Sequence, residues 1–118
     1  EGMWKMLQQK KPDDYILATG KAHSVSEFAE EAAKHFGFEL AWEGKGMNTV
    51  GRDVKSGKTL IRLDKRYLRP TDVESLAGDG SKAKRILKWQ PKVQFKELVR
   101  IMAQAEPSLP RFTNENLP

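Results

Sequence analysis

The chain has 118 residues, a mass of 13.4 kDa and a mean hydropathy of −0.67, with 31% charged residues. This length suits one domain with one core, for which ten aromatic residues supply apolar volume. No apolar run reaches the roughly 18 residues of a membrane span, and we expect no secretory leader. The absence of Cys excludes disulfides, thiolate nucleophiles and cysteine-based metal centres. Two histidines far apart, His23 and His35, do not indicate a metal site. The composition therefore predicts a cytoplasmic domain.

The net charge of +5 lies in one segment of the chain. Between Gly51 and Arg69, seven basic residues stand against two acidic ones, and the remainder of the chain sums to zero. The basic residues are Arg52, Lys55, Lys58, Arg62, Lys65, Arg66 and Arg69. A local excess of this kind favours an anionic partner at one place, and the alternative is a solvated basic loop.

The first third of the chain predicts helices and strands in alternation. The apolar residues of segment 1–9 have helical spacing, but no N-cap residue precedes them, which is typical of a truncated helix. The apolar run Tyr15–Ala18 predicts a buried strand. Ser24 and Glu27 form a capping box that opens an amphipathic helix, and Phe38–Trp42 alternates like a half-buried strand. Residues 14–42 thus predict a strand–helix–strand unit, and the fold class is a small mixed α/β fold.

The rest of the chain predicts a loop, a hairpin and two further helices. Residues 43–57 contain four glycines and predict a loop. Residues 58–63 predict a strand that pairs with Val54 through a hairpin over residues 55–58. A short basic helix over residues 82–87 follows Asp79-Gly80-Ser81, and apolar spacing from Phe95 to Ala105 predicts a last amphipathic helix. Residues 107–118, with three prolines, are expected to form a loose tail.

The residues that suggest a binding site are those around Arg52 and Arg69. No nucleophile can be paired with a base, and both histidines are expected to be structural. Arginine suits bidentate contact with phosphate oxygens, and Pro70 stiffens the chain after Arg69. An acidic residue three positions later, Asp72, could accept hydrogen bonds from sugar hydroxyls while Arg69 faces phosphate. The turn therefore predicts nucleotide binding, each charge-assisted hydrogen bond contributing about 1.5–3 kcal/mol.

Several short segments, in order and nearly in register from Met3 to about Ala105, resemble those of one known family. They are Ala18-Thr19-Gly20, His23-Ser24-Val25, Phe28, Trp42-Glu43-Gly44-Lys45-Gly46, Val50-Gly51-Arg52, Tyr67-Leu68-Arg69-Pro70-Thr71-Asp72-Val73, Gly78-Asp79, Lys82-Ala83-Lys84, Leu87-Lys88-Trp89-Gln90-Pro91 and Phe95-Lys96-Glu97-Leu98-Val99. Together they resemble the C-terminal part of the GDP-mannose 4,6-dehydratase family, within the extended short-chain dehydrogenase/reductase superfamily.

The resemblance implies a fold and an activity. It implies the substrate-binding portion of that fold without most of the Rossmann sheet, with residues 1–106 as the sugar-nucleotide portion. Residues 14–19 would then resemble the last strand of the missing sheet. The implied parent enzyme removes water from GDP-mannose to give GDP-4-dehydro-6-deoxymannose, with tightly held NADP as hydride shuttle.

The resemblance also assigns binding residues. Arg69 would contact the diphosphate, and Asp72, where the family usually has Glu, would hold the ribose. Arg52 would be a secondary candidate for a nucleotide contact or a subunit contact.

The catalytic motifs of that superfamily are absent from this sequence. There is no Gly-x-x-Gly-x-x-Gly turn, and the residues four positions after Tyr15 and Tyr67 are Thr19 and Thr71 instead of Lys. The resemblance therefore implies that the NADP site and the catalytic residues belong to a Rossmann half N-terminal to Glu1. The chain by itself is expected to be inactive, to bind no NADP and to contribute contacts to GDP-mannose or GDP.

Two alternatives stay open. The segment 51–69 could serve a small nucleic-acid-binding domain, although Tyr67 is its only aromatic stacking residue. The chain could instead be an inactive assembly or scaffold piece. Exposure of Trp4, Met6, Ile16 and Leu17 after loss of the dinucleotide-binding half would favour a homo-oligomer.

Overall fold

The computed structural model describes residues 1–69 and 75–105. Within them the chain forms two compact units. Unit 1 contains residues 1–23 and 75–94, and unit 2 contains residues 24–69 and 95–105. Helices and a three-stranded sheet make this a small mixed α/β protein, as the sequence predicts. None of the described helices has the length and apolar composition that crossing a membrane requires.

Unit 1 is built on a short helix and a π-helical turn. Helix α1 (Gly2–Leu7) lies against the π turn (Ala83–Leu87), and the buried residues of this unit belong to these two elements. A Cβ at Gly2 would lie 2.5 Å from the end of the Leu17 side chain, so a larger residue there would require that side chain to move. The π turn occupies the position predicted for a short basic helix, although its hydrogen bonding is wider than that of an α-helix.

The prediction of a strand at Tyr15–Ala18 is wrong. The segment has no strand assignment, and no backbone hydrogen bond joins it to another described segment. A strand exists only where a neighbouring segment supplies ladder partners, and none does so within residues 1–69 and 75–105. The chain near Gly80 comes close, since a Cβ on that residue would lie 2.9 Å from the Ala18 carbonyl oxygen, but the two segments do not pair. The predicted strand–helix–strand unit is therefore not formed. The resemblance of residues 14–19 to the last strand of a Rossmann sheet stays a prediction.

Unit 2 contains an antiparallel sheet in the order β1 (Leu40–Glu43), β2 (Val50–Asp53), β3 (Thr59–Arg62). Strand β2 lies inside the stretch 43–57, so the prediction of a loop throughout that stretch is wrong. The strand was not predicted because it contains a glycine, which is typical of loops. Gly51 stands opposite Trp42 in the ladder, and a Cβ there would lie 3.0 Å from the indole ring. The glycine thus serves close packing within a strand.

The hairpin between β2 and β3 confirms the predicted turn over residues 55–58, but the predicted pairing with Val54 is wrong. Strand β3 pairs with residues 50–52, and the Val54 N–H donates to the Glu39 carbonyl at 2.8 Å. The Asp53 N–H donates to the Lys58 carbonyl at 2.9 Å, and the Gly57 N–H donates to the Asp53 carbonyl at 2.8 Å. Gly57 has a φ of 69°, which a side chain would disfavour. The last predicted strand is likewise confirmed, as β3.

Two helices complete unit 2. Helix α2 (Val25–His35) has the predicted capping box: the Ser24 hydroxyl accepts from the Glu27 N–H at 3.1 Å, and the Glu27 carboxylate accepts from the Ser24 N–H at 2.8 Å. Helix α3 (Phe95–Ala105), also predicted, packs against α2 and buries Val99. The Trp42 indole N–H donates to Glu30 Oε1 at 2.7 Å, which joins β1 to α2.

Asp53 is a buried carboxylate that organises the hairpin, with only 2% of its surface exposed. It accepts the Ser56 hydroxyl at 2.6 Å, the Ser56 N–H at 2.9 Å and the Glu39 N–H at 3.2 Å. The Ser56 hydroxyl, followed by the backbone donors, holds the pKa of Asp53 below its ordinary value although burial opposes this. The charged form is therefore the one that the fold stabilises.

We expect Asp53→Asn to lower the urea midpoint at neutral pH and to flatten its fall in acid. Because the folded-state pKa is lowered, the contribution of Asp53 is complete above the unfolded pKa near 4 and is lost as pH falls through the folded pKa. Urea midpoints measured from pH 7 to pH 2 test this. Asp14→Asn, at an exposed carboxylate, is the control. Parallel curves for wild type and Asp53→Asn would contradict the prediction.

Candidate functional site

Arg69, the principal predicted binding residue, is exposed at the end of the first described segment. Strand β3 is followed by a 3₁₀ turn (Lys65–Tyr67), and Arg69 comes two residues after this turn. Asp72, the predicted ribose-binding residue, lies outside the described residues, as do Pro70 and the tail. The joint role of Arg69 and Asp72 therefore stays a prediction.

Arg66 and Asp64 form an ion pair beside Arg69 that the sequence reasoning did not single out. The Arg66 Nη2 atom lies 2.6 Å from Asp64 Oδ2, and Nε contacts both carboxylate oxygens. The Arg66 side chain, followed by its backbone N–H, holds the pKa of Asp64 below its ordinary value. The guanidinium also lies 5.7 Å above the centre of the Tyr67 ring. Arg66 is thus occupied by its own turn.

Arg52, the secondary predicted binding residue, is bound within the sheet. Its Nε donates to Glu43 Oε2 at 2.8 Å, and its Nη1 donates to the Gly57 carbonyl at 3.2 Å. The ladder pairs Ala41 with Arg52 and Glu43 with Val50, which makes Arg52 and Glu43 diagonal neighbours on one face. Sequence reasoning missed this pair because it treated β2 as loop. Recognition of the strand would have predicted it.

The basic segment is therefore less uniform than its composition suggests. Arg52 and Arg66, both in this segment, pair with carboxylates. Charge that is already paired at short range attracts an outside anion less strongly. Arg69 stays the principal predicted contact, and Arg52 stays the secondary one.

Unit 1 contains a pocket of about 290 Å³ that the sequence reasoning did not identify. Its walls come from four of the segments that carry the family resemblance. They are lined by Ala18, Thr19, Gly20, Asp79, Gly80, Ser81, Lys84, Trp89, Gln90, Pro91 and Gln94. Residues near 20 and residues near 80 meet only in the folded chain, and no spacing rule connects them. The pocket combines apolar side chains with the polar groups of Thr19, Ser81 and Lys84, which makes it a second candidate site.

The N-terminus of helix α2 does not fit a dinucleotide. Such cofactors rest on a glycine-rich turn with the free amides of a helix N-terminus. The segment before α2 has a single glycine, Gly20, and the Glu27 and Ser24 side chains already occupy the cap of that helix. We therefore derive no chemistry through NADP in this chain.

Comparison with known proteins identifies the family. The sequence model of the family described as GDP-mannose 4,6 dehydratase matches residues 1–102. The GDP-mannose 4,6 dehydratase of Cricetulus griseus is 50% identical over 98% of this chain and 31% of its own length, and that of Homo sapiens is 49% identical over the same shares. The enzyme of that name from Drosophila melanogaster is 50% identical over 94% of this chain and 28% of its own length. The chain thus spans about a third of the length of these relatives, in their C-terminal part. From this match across most of its residues, we conclude that the chain belongs to the GDP-mannose 4,6-dehydratase family.

Proposed function

We propose that this chain supplies the diphosphate and ribose contacts of a GDP-mannose 4,6-dehydratase. The family match over residues 1–102 is the observation that carries the proposal. In this proposal the chain is the C-terminal, substrate-binding portion of an extended short-chain dehydrogenase/reductase fold. The whole enzyme would dehydrate GDP-mannose to GDP-4-dehydro-6-deoxymannose in the cytoplasm.

Arg69 is the proposed diphosphate ligand because of what its neighbours do. Arg66 and Arg52 are engaged by Asp64 and Glu43, whereas Arg69 is exposed to solvent. A guanidinium offers a planar pair of donors that matches two phosphate oxygens. Asp72, three residues later, is the proposed ribose acceptor, and Arg52 has its Nη2 group left for an auxiliary contact.

The chemistry of the whole enzyme is assigned to residues other than those of this chain. NADP would supply and recover the hydride, and the groups that hold it belong to the Rossmann half. The chain contains no catalytic residue in this proposal and is expected to show no turnover of GDP-mannose alone. Its partners are the nucleotide sugar, the Rossmann half and further copies of itself.

Exposed apolar side chains in unit 1 bear on the proposed self-association. The apolar residues Met3, Trp4 and Ile16 are more than half exposed in unit 1, which supports it. Leu17 is 36% exposed, but Met6 is partly buried and contributes less than its sequence position suggests. A homo-oligomer built on this surface stays a prediction.

The proposed function is tested by calorimetric titration of the chain with GDP-mannose. We expect Arg69→Ala to weaken binding at least tenfold, because a lost charge-assisted hydrogen bond corresponds to about 1.5–3 kcal/mol. Lys55→Ala is the matched control, since it removes one positive charge from the same segment. Lys55 lies in the exposed hairpin turn, and its replacement should leave the affinity within about twofold.

Each other result has a defined meaning. Equal losses in Arg69→Ala and Lys55→Ala would show that the segment attracts anions by net charge alone, against a built diphosphate contact. Indifference to GDP-mannose together with steeply salt-dependent retention of RNA would support the nucleic-acid-binding alternative instead. Turnover by the isolated chain with NADP would contradict the assignment of catalysis elsewhere.

A further inference from the structure

The pocket of unit 1 is shaped by an unusual piece of backbone. The π turn Ala83–Leu87 ends at Lys88, which has a left-handed conformation with φ of 51° and ψ of 37°. Lys88 is the only residue other than glycine with positive φ in the described part of the chain. The turn closes when the Trp89 N–H donates back to the Ala83 carbonyl at 3.3 Å. π turns and left-handed non-glycine residues both concentrate at functional sites.

This backbone carries a cation and an aromatic ring that both line the pocket. Lys84 projects from the π turn, Trp89 follows Lys88, and both line the pocket. The Lys5 ammonium, from helix α1, donates to the Lys88 carbonyl at 3.1 Å. This hydrogen bond stabilises the change of chain direction between Lys84 and Trp89. A helical turn of regular α geometry, continued past residue 87, would not reverse the chain at this point.

The polar groups of the pocket favour a ligand that accepts hydrogen bonds. Asp79 already accepts two hydrogen bonds within its own turn, from the Ser81 N–H at 2.9 Å and from the Ser81 hydroxyl at 3.1 Å. These bonds, with the backbone N–H first, hold the pKa of Asp79 below its ordinary value. By contrast, Lys84 forms no ion pair, and the Trp89 indole N–H donates to no acceptor, within residues 1–69 and 75–105. The Lys84 ammonium and the Trp89 indole N–H are therefore donors that a ligand can use.

We propose that this pocket binds a small phosphorylated ring compound, with Lys84 as the partner of the phosphate and Trp89 as the surface for the ring. A phosphate group carries nearly two negative charges at neutral pH and offers three acceptor oxygens. Aromatic rings stack on the flat faces of bases, and a volume of about 290 Å³ accommodates a ligand of the size of a sugar phosphate or a nucleoside monophosphate. The residues of this pocket belong to unit 1, whereas Arg69, the proposed diphosphate contact, belongs to unit 2.

The proposal is tested by titrating the ¹⁵N-labelled chain with ribose 5-phosphate, adenosine 5′-monophosphate and inorganic phosphate. The chain has three tryptophans, so three indole N–H signals can be followed, and Trp89→Phe assigns one of them. We expect the Trp89 signal to move with at least one ring compound. The Trp42 signal, which is hydrogen bonded to Glu30 in unit 2, should stay in place. A response to both ring compounds would indicate a sugar-phosphate site, and a response to the nucleotide alone would indicate stacking of the base.

Charge variants complete the test. Lys84→Gln should weaken the titration at least tenfold, whereas Arg85→Gln, one residue further along the π turn and outside the pocket, should not change it. In Lys84→Gln, an unchanged Trp42 signal would show that unit 2 is folded. An unchanged far-ultraviolet circular dichroism spectrum would show that the helical content of the chain, including unit 1, is retained. No shift of the Trp89 signal at millimolar ligand, equal response to inorganic phosphate, or loss of binding in Arg69→Ala would each overturn the proposal.

The two sites can fail independently. Lys84→Gln should leave GDP-mannose affinity unchanged, and Arg69→Ala should leave the Trp89 titration unchanged. If GDP-mannose does not bind but the Trp89 titration depends on Lys84, the proposed function fails and the pocket stands.

Discussion

Replacing Gly44 by alanine is expected to destabilise unit 2 by about 3 kcal/mol. Gly44 follows β1 directly and has a φ of 86°, a conformation that L side chains rarely adopt. An added Cβ would also collide with the Asn48 carbonyl oxygen and would lie 2.9 Å from the Asn48 carbonyl carbon. Both obstacles are backbone atoms, so relief requires a shift of the connection between β1 and β2. Urea unfolding followed at the Trp42 indole signal measures the loss.

Gly46→Ala is the matched control for this prediction. Gly46 also has positive φ, 54°, but an added Cβ would meet nothing within 4 Å. Its replacement should therefore carry the conformational penalty alone, about 1 kcal/mol. Similar losses of unfolding free energy in the two variants would show that the collision with Asn48 is relieved at little energetic cost, contrary to the expectation for Gly44.

Leu87→Ala is expected to destabilise unit 1 by about 3 kcal/mol. Leu87 is 5% exposed and ends the π turn, next to buried Ala83. Deleting its side chain removes apolar burial and leaves a cavity, and the few buried residues of this unit give little means to fill it. Amide hydrogen exchange should show faster exchange in residues 1–23 and 75–94.

The neighbouring residue supplies the comparison for Leu87. Ile86→Ala deletes a side chain of the same size from the same turn, but Ile86 is 40% exposed. Its loss should be below about 1 kcal/mol because less apolar surface returns to water. A loss in Ile86→Ala that equals the loss in Leu87→Ala would contradict the placement of the core of unit 1.

Elements whose hydrogen bonds close within a few residues were predictable from the sequence. The capping box of Ser24 and Glu27 and the helix Phe95–Ala105 appear as expected. The hairpin over residues 55–58 is also local, since its turn bonds span five residues or fewer. In each case the residues that decide the geometry are neighbours in the chain.

Elements that depend on a distant partner were not predictable in the same way. Tyr15–Ala18 has the composition of a strand, but composition does not provide a neighbour with free peptide groups. Strand β2 has the opposite character: its glycine suggests a loop, whereas the indole of Trp42 makes glycine the residue that fits. Whether a segment forms a strand therefore depended on whether another segment pairs with it, and the apolar pattern of the sequence alone did not show this.

The same division holds for the candidate sites. The sequence by itself determined the family, through short segments in a preserved order, and it located the basic stretch that ends at Arg69. Only the tertiary structure decided that Arg52 is bound by Glu43 and that Lys84 and Trp89 share a pocket with Thr19. The physical reason is that charge and side-chain chemistry are properties of single residues, whereas pairing and enclosure depend on register and on close approach between segments far apart in the chain.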